Sequence, residues 1–214
     1  TNQFDDQLIF GDKEKRRYVG GSVSEDNHYL FITAANSTSG NELYVQDLTQ
    51  PNSEIKSIHS GFEYDVHVLD NVGTQLYLIT NLGAPNKRIV IVDVNAPSVS
   101  NWKDCIAETE QVLSPSTGAG FIFANYMKDA VSVVKQFDYK GTLVREIQLP
   151  GLGTATGFSG KNEDEVLYFS FTNYVTPTTT YQFIPTEGKS SIYVQPKVDF
   201  ISDNYTSKQV FYTS

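Results

Sequence analysis

Apolar and polar residues alternate along most of the chain in short runs broken by Gly, Pro, Asn and Asp, the pattern of half-buried strands joined by turns. Glu42-Leu43-Tyr44-Val45-Gln46-Asp47-Leu48 is one such run, ending in an aspartate ahead of a turn, and it recurs. Val90-Ile91-Val92-Asp93-Val94 and Lys135-Gln136-Phe137-Asp138-Tyr139 repeat it, and Tyr181-Gln182-Phe183-Ile184-Pro185 carries Ile184 in place of the aspartate. Asp47, Asp93, Asp138 and Ile184 are 46, 45 and 46 residues apart. A period of about 40–50 residues with several strands in each unit is the mark of a β-propeller blade.

The repeat divides the chain. Gln7-Leu8-Ile9-Phe10 reads as a short strand followed by a charged turn over 12–17, and residues 1–17 are predicted to be the end of a preceding blade. Blades are predicted over 18–61, 62–107, 108–150 and 151–197, with an exit strand in 198–214 drawn from the apolar pieces 198–202 and 209–212. In the first blade, 19–23 is an inner strand whose Gly20 and Gly21 permit close backbone approach, and 24–27 is a polar turn. The buried second strand covers 29–33, the opening run of the repeat supplies the third, and 55–58 is the outer strand. The second blade reads as 64–69, a turn over 70–73, 75–80, 88–94 and an outer segment around 101–105. The third reads as 111–117, 120–125, 131–138 and 144–149, and the fourth as 154–159, 166–171, 178–183 and 191–195.

The predicted fold is therefore all-β: a partial β-propeller of about four four-stranded antiparallel blades. Each blade packs its face against the next, so a terminal blade without a neighbour exposes apolar surface. Missing blades, self-association through exposed blade faces, or an unusual four-blade closure would each answer that exposure, and missing blades are the favoured reading.

Composition agrees and removes several function classes. Thirteen Tyr and thirteen Phe, with a single Trp, Met and Cys, suit pleated surfaces better than helix faces. The net charge of −9 is scattered along turns and the basic residues form no stripe, so nucleic acid is not an expected partner. No apolar run approaches the ~18 residues of a membrane span, and no charged-then-apolar leader starts at Thr1, so no membrane association is expected. Cys105 stands alone, which rules out an internal disulfide and leaves the compartment open between cytoplasm and periplasm. Asn36-Ser37-Thr38 and Asn204-Tyr205-Thr206 fit the glycosylation pattern and are read as chance matches.

No residue is assigned a catalytic, cofactor-binding or metal-binding role, and no cofactor is expected. Gly157-Phe158-Ser159-Gly160 approaches the nucleophile elbow G-x-S-x-G, but Lys161 stands where the last glycine belongs and no helical pattern follows. A hydrolase triad runs Ser, acid, His in chain order, whereas His28, His59 and His67 all precede Ser159. One cysteine and three dispersed histidines lack zinc-ligand spacing, and Glu163-Asp164-Glu165 lacks the order of a calcium loop. Asp47, Asp93 and Asp138 recur once per blade, the place for a short acceptor that bonds turn N–H groups. Gly118-Ala119-Gly120 and Gly151-Leu152-Gly153 precede strands, not helices, so neither cradles phosphate.

Three stretches resemble one family. Gly157-Phe158-Ser159-Gly160-Lys161, with Tyr168-Phe169-Ser170-Phe171-Thr172-Asn173-Tyr174 and Pro177 before Tyr181, resembles the last propeller blade of the prolyl oligopeptidase family. Ser207-Lys208-Gln209-Val210-Phe211-Tyr212-Thr213-Ser214 resembles the strand by which that family passes from propeller to α/β-hydrolase domain. Gly20-Gly21-Ser22-Val23-Ser24-Glu25-Asp26 with Tyr29-Leu30 and Asn41-Glu42-Leu43 is similar to an earlier blade, and Ser100-Asn101-Trp102-Lys103 to a blade edge. The resemblance implies the later part of a seven-bladed propeller in a serine endopeptidase that cleaves after proline. Its partners would be the hydrolase domain of the same parent chain, whose triad would lie beyond Ser214, and the short proline-containing peptides that the propeller admits. Some members place an arginine and a cysteine facing substrate where this chain has Ala34 and Ser37, so that contact is assigned to no residue here. The alternative is a stand-alone propeller binding peptide, glycan or protein through a rim made by loops 34–41, 81–87 and 173–179.

Overall fold

The structure, a computed structural model of the chain, describes residues 3–12, 15–199 and 204–212. Among the described residues the alternating runs form sixteen strands, and there is no α-helix. The first sheet holds β1 (Tyr18–Val23), β2 (Tyr29–Ala35), β3 (Glu42–Asp47) and β4 (Lys56–His59). The second holds β5 (Val66–Val72), β6 (Gln75–Thr80), β7 (Arg88–Asp93) and β8 (Lys103–Ile106). The third holds β9 (Leu113–Gly118), β10 (Phe121–Lys128), β11 (Val131–Phe137) and β12 (Leu143–Glu146). The fourth holds β13 (Thr154–Ser159), β14 (Leu167–Thr172), β15 (Thr179–Ile184) and β16 (Lys189–Val194). Each sheet is a meander whose strands neighbour one another in chain order.

The chain divides into two compact units, Thr1–Gly83 with Val90–Lys103 and Ala84–Ile89 with Asp104–Ser214. In the first unit, alternate residues of the strands turn one way: Tyr29 and Phe31, Leu43 and Val45, Ile58, Val66, Leu76 and Leu78, and Val90 and Val92 form one buried cluster. Each such side chain contributes roughly 1.5–3 kcal/mol on leaving water. The opposite face of β3 carries Glu42 and Tyr44, which Arg16 and Phe10 cover; the Phe10 and Tyr44 rings lie 4.9 Å apart. The core of the second unit is aromatic. Phe158 stacks on Phe169 at 4.5 Å and on Phe123 at 5.5 Å, and Phe183 meets Phe158 edge-on at 5.6 Å.

The repeat aspartates do the work expected of them. Asp47 Oδ1 accepts from the Thr49 N–H and hydroxyl, Asp93 Oδ1 from the Asn95 N–H, and Asp138 Oδ1 from the N–H groups of Lys140 and Thr142. These bonds hold the carboxyls of Asp47 and Asp138 below the usual aspartate value, led by the Thr49 hydroxyl and the Thr142 N–H respectively.

Three expectations are corrected. Residues 7–10 form no strand: they lack a strand partner among the described residues, Leu8 and Ile9 are exposed, and only Phe10 of the stretch packs, on Tyr44. The turn expected over 70–73 is later and tighter, because the pairing of β5 with β6 shifts register between Val68 and Asp70 and carries Asn71 and Val72 into the strand opposite Leu76 and Gln75. Among the described residues no exit strand forms over 209–212, where Val210, Phe211 and Tyr212 are exposed and no described strand pairs with them. Residues 200–203 and 213–214 of that expected segment, like 13–14 of the charged turn and 1–2 of the expected blade end, lie outside the described residues.

Candidate functional site

The second and third strands of the four sheets are joined by residues 36–41, 81–87, 129–130 and 173–178. Connections held by a rigid sheet are where recognition residues collect, and these three longer segments and one tight turn are the chain's best candidates.

In the first unit the connection 36–41 is anchored at its end. Gly40 donates its N–H to Asp65 Oδ1 at 2.8 Å, and Asn41 donates its own N–H to the Tyr64 carbonyl at 3.0 Å. The Asn41 side chain, 3% exposed, donates Nδ2 to the Val66 carbonyl at 2.8 Å and accepts the Val66 N–H on Oδ1 at 3.0 Å. A side-chain amide thus pairs with the backbone at the start of β5 as a neighbouring strand would. Ala34 is fully buried in β2 and offers nothing to a ligand, while Ser37 is exposed in the connection.

Beside this anchor, Arg16 Nε donates to Glu42 Oε2 at 2.7 Å and Nη2 to Oε1 at 3.1 Å, and its guanidinium lies 5.3 Å from the Phe62 ring centre. Arg16 holds the Glu42 carboxyl below the usual glutamate value against the burial that opposes ionisation. Folded Glu42 therefore gives up its proton at lower pH than unfolded Glu42. Its stabilisation is complete above the unfolded value of about 4.3 and is lost as pH falls through the folded one. Glu42→Gln is expected to cost about 2 kcal/mol near neutral pH, with the gap to the parent chain closing below about pH 4. Urea titrations of both chains across that range check it, and a gap independent of pH would refute the ionic origin.

Three further polar groups of this unit differ in their surroundings, and of these the buried His59 Nε2 has no hydrogen-bond partner. Burial opposes ionisation of Asp26, yet the Ser24 hydroxyl, the His28 N–H and the Asn71 amide together hold it below its ordinary value. Burial lowers the affinity of the His59 imidazole for a proton, and that ring lies 6.4 Å from Trp102. His67 lies in β5 and is exposed.

The second unit repeats the anchor with other residues. Ser132 Oγ accepts the Ala155 N–H at 3.0 Å, and Asn125 Nδ2 donates to the Ala155 carbonyl at 2.8 Å, so β10 and β11 hold the inner strand β13. Asn86 does the same for β9: its carbonyl accepts the Leu113 N–H at 2.9 Å, and its Nδ2 donates to the carbonyls of Thr109 and Glu110. Near the turn 129–130 and the connection 173–178 there is a cavity of about 350 Å³, floored by Val131, Leu152 and Gly153 and flanked by Asn173, Tyr174 and Ser207. Tyr174 is fully exposed there. Asn173 is engaged on both sides, donating Nδ2 to the Leu152 carbonyl and accepting the Val175 N–H, whereas the buried Ser207 Oγ has no hydrogen-bond partner. Gln209 Nε2 donates to the Asp129 carbonyl, which seats the segment 204–212 against that turn.

The residues weighed for chemistry do not converge. Ser159 ends β13 exposed, opposite Tyr168 in register, and all three histidines belong to the other unit. Asp164 accepts the Lys161 N–H at 2.7 Å and closes a hairpin turn. Cys105 is half-buried, and burial pushes its thiol up to about 11. At pH 8 about one molecule in a thousand then carries the thiolate, so an aromatic disulfide reagent is expected to leave the folded chain unlabelled over an hour and to label it at once in urea. Rapid native labelling would contradict the burial.

Sequence reading missed the anchors, although a signal was present: Asn41 and Ser132 each stand six residues before a repeat aspartate, Asp47 and Asp138. It also missed the pairing of Arg16 with Glu42, which no spacing announces.

Comparison with known proteins accounts for the architecture. The family described as prolyl oligopeptidase, N-terminal beta-propeller domain, matches residues 1–196. The prolyl endopeptidase of Elizabethkingia meningoseptica is 50% identical over 215 residues, covering 100% of this chain and 30% of that protein. The prolyl endopeptidase of Dictyostelium discoideum is 27% identical over 235 residues, again covering 100% of this chain and 31% of the relative. Among solved structures, one from a study of two prolyl endopeptidases and their inter-domain dynamics superposes with a TM-score of 0.82 at 29% identity, over 91% of this chain and 29% of that one. Prolyl oligopeptidase B of Galerina marginata shares the fold, with a TM-score of 0.87 at 23% identity over 99% of this chain and 31% of that one. The chain thus spans about three-tenths of the length of the curated relatives it matches. With four meander sheets on a repeat of about 45 residues and a family match over residues 1–196, this chain belongs to the prolyl oligopeptidase family, within its N-terminal β-propeller domain.

Proposed function

We propose that the chain serves as the non-catalytic propeller part of a serine endopeptidase cleaving after proline, screening short proline-containing peptides for an α/β-hydrolase domain in the same parent protein. The observation that carries this reading is the 50% identity to a prolyl endopeptidase across the whole chain. In this layout 18–61, 62–107, 108–150 and 151–197 act as blades, 1–17 accompanies a preceding blade, and 198–214 leads towards the hydrolase domain. Screening is a matter of geometry: rigid sheets hold the connections between second and third strands, and a polypeptide too bulky to pass them is refused. No side chain of this segment then needs to touch the reacting atoms.

The test is a chimera in which this chain replaces the matching segment of the Elizabethkingia meningoseptica prolyl endopeptidase. The expected result is cleavage of a proline-containing octapeptide within about threefold of the parent enzyme, with a folded proline-containing protein left intact. A folded chimera that cleaves both alike would refute the screening role.

A further inference from the structure

β4 is an outer strand of four residues with two buried side chains, and the two are consecutive: Ile58 is 4% exposed and His59 8%. In a regular strand such neighbours point to opposite faces. The pairing of β4 with β3 shifts register between Leu43 and Tyr44 and leaves His59 opposite Leu43, an irregularity that lets both side chains turn inwards. Ile58 enters the apolar cluster of the first unit, and the His59 ring lies 6.4 Å from Trp102, which packs on that cluster.

The neighbours of this imidazole do not meet its polar needs. Nε2 is buried without a hydrogen-bond partner among the described residues, and the indole N–H of Trp102 is taken by the Pro97 carbonyl at 2.9 Å. Two carboxylates face the ring, Glu42 from β3 and Glu63 from the connection 60–65. Arg16 engages both oxygens of Glu42, to which the Tyr44 hydroxyl and the Gly61 N–H also donate, and Glu63 is exposed. On β4 itself the charged group is Lys56, which is exposed. Burial outweighs the pull of the two carboxylates, so the folded ring holds a proton less well than a free histidine, whose value is about 6.5.

From this placement we infer that His59 is an acid-sensitive latch on β4: the neutral ring seats the strand against the core, and a proton drives the ring into water and lets β4 peel from β3. The inference stands apart from the peptide-screening reading. A charged imidazole with no acceptor at Nε2 is costly to bury, whereas the same ring in water takes the proton without penalty. Ile58 is then the one buried anchor left to a strand of four residues. The open form binds the proton more tightly, so closure is complete above about pH 6.5 and weakens as pH falls below it.

The test is amide hydrogen exchange of the whole 214-residue chain, each rate divided by that of an unstructured peptide at the same pH. With the closed form unprotonated and the open form titrating at about 6.5, the opening equilibrium rises about tenfold between about pH 7.5 and 5.5. Protection of the amides bonded between β3 and β4 is expected to fall by that factor, while those between β2 and β3 hold within about twofold. His59→Gln and His59→Phe are each expected to flatten the profile to within about twofold, and His28→Gln to leave it as in the parent chain. A histidine with a packing role alone would lower protection in its variants equally at both pH values and leave the slope in place. In the parent chain, proton resonances of the His59 ring are expected to titrate with a midpoint below about 6.5. A midpoint at or above that value, protection that ignores pH, or a tenfold fall that survives in His59→Gln would each overturn the latch. An equal fall in every strand of the first unit would show that the proton opens the unit as a whole and would overturn β4 as the moving element.

Discussion

Gly40→Ala is expected to be the most damaging single-methyl change in the first unit, costing about 4 kcal/mol or more. Gly40 has φ +73°, in the left-handed region, and a β-carbon there would lie 1.8 Å from the Phe62 carbonyl oxygen and 2.4 Å from its carbon. Those are backbone atoms, so no rotamer change makes room. The connection must lift, and lifting it pulls Asn41 away from both polar groups of Val66, leaving them buried and unpaired at roughly 1–3 kcal/mol each. Trp102, the single tryptophan, packs on the core of the same unit and reports its unfolding. A loss of about 4 kcal/mol moves the urea midpoint down by about 2 M. Gly20→Ala is the control: its φ is not positive and nothing lies within 4 Å, so its midpoint should stay within about 0.5 M of the parent. Equal midpoints for the two variants would mean that Phe62 does not lie against Gly40.

Phe158→Ala is expected to cost the second unit about 4 kcal/mol, and Phe158→Gly less, about 3. The ring is 1% exposed and touches Phe123, Phe169 and Phe183, so truncation leaves a cavity among rings that cannot collapse together. The unusual ranking comes from the backbone. Phe158 has φ +62°, at the bulge where β13 shifts register between Gly157 and Ser159. Alanine keeps that strain and glycine relieves it. Burial of five phenylalanines in one cluster is what holds a side-chain-bearing residue there, since stacked rings offset a strain of about 1–3 kcal/mol. Hydrogen exchange of β13–β15 amides measures both variants, and alanine proving the better tolerated would refute the strain.

Much of the architecture was legible because it is written in periods. The alternation of the run 42–48 survives as β3, and its repeats become β7, β11 and β15. The aspartates were readable for a local reason, since a short acceptor bonds N–H groups two to four residues ahead and needs no tertiary partner. Where the reading failed, the missing quantity was a partner. Residues 7–10 and 209–212 have the composition of strands but no described strand beside them, and a strand without a ladder is not one. The displaced turn after β5 followed from a register shift, which depends on how two strands meet and leaves no mark in either alone.

The candidate site divides the same way. Sequence by itself determined the all-β class, the four-unit repeat, the turn aspartates and the likeness to one peptidase family, because alternation, turn chemistry and repeat spacing are properties of neighbours along the chain. Tertiary structure alone decided that Arg16 grips Glu42 across 26 positions, that Asn41, just ahead of β3, and Ser132, in β11, each fasten to the inner strand of the next sheet, and that Gly40 must stay without a β-carbon. It alone showed that the His59 ring is buried beside Trp102 with Nε2 unpartnered. Each of these is set by which distant segments pack together, and a hydrogen bond or a clash between such segments exists only once the burial of apolar faces has brought them within reach.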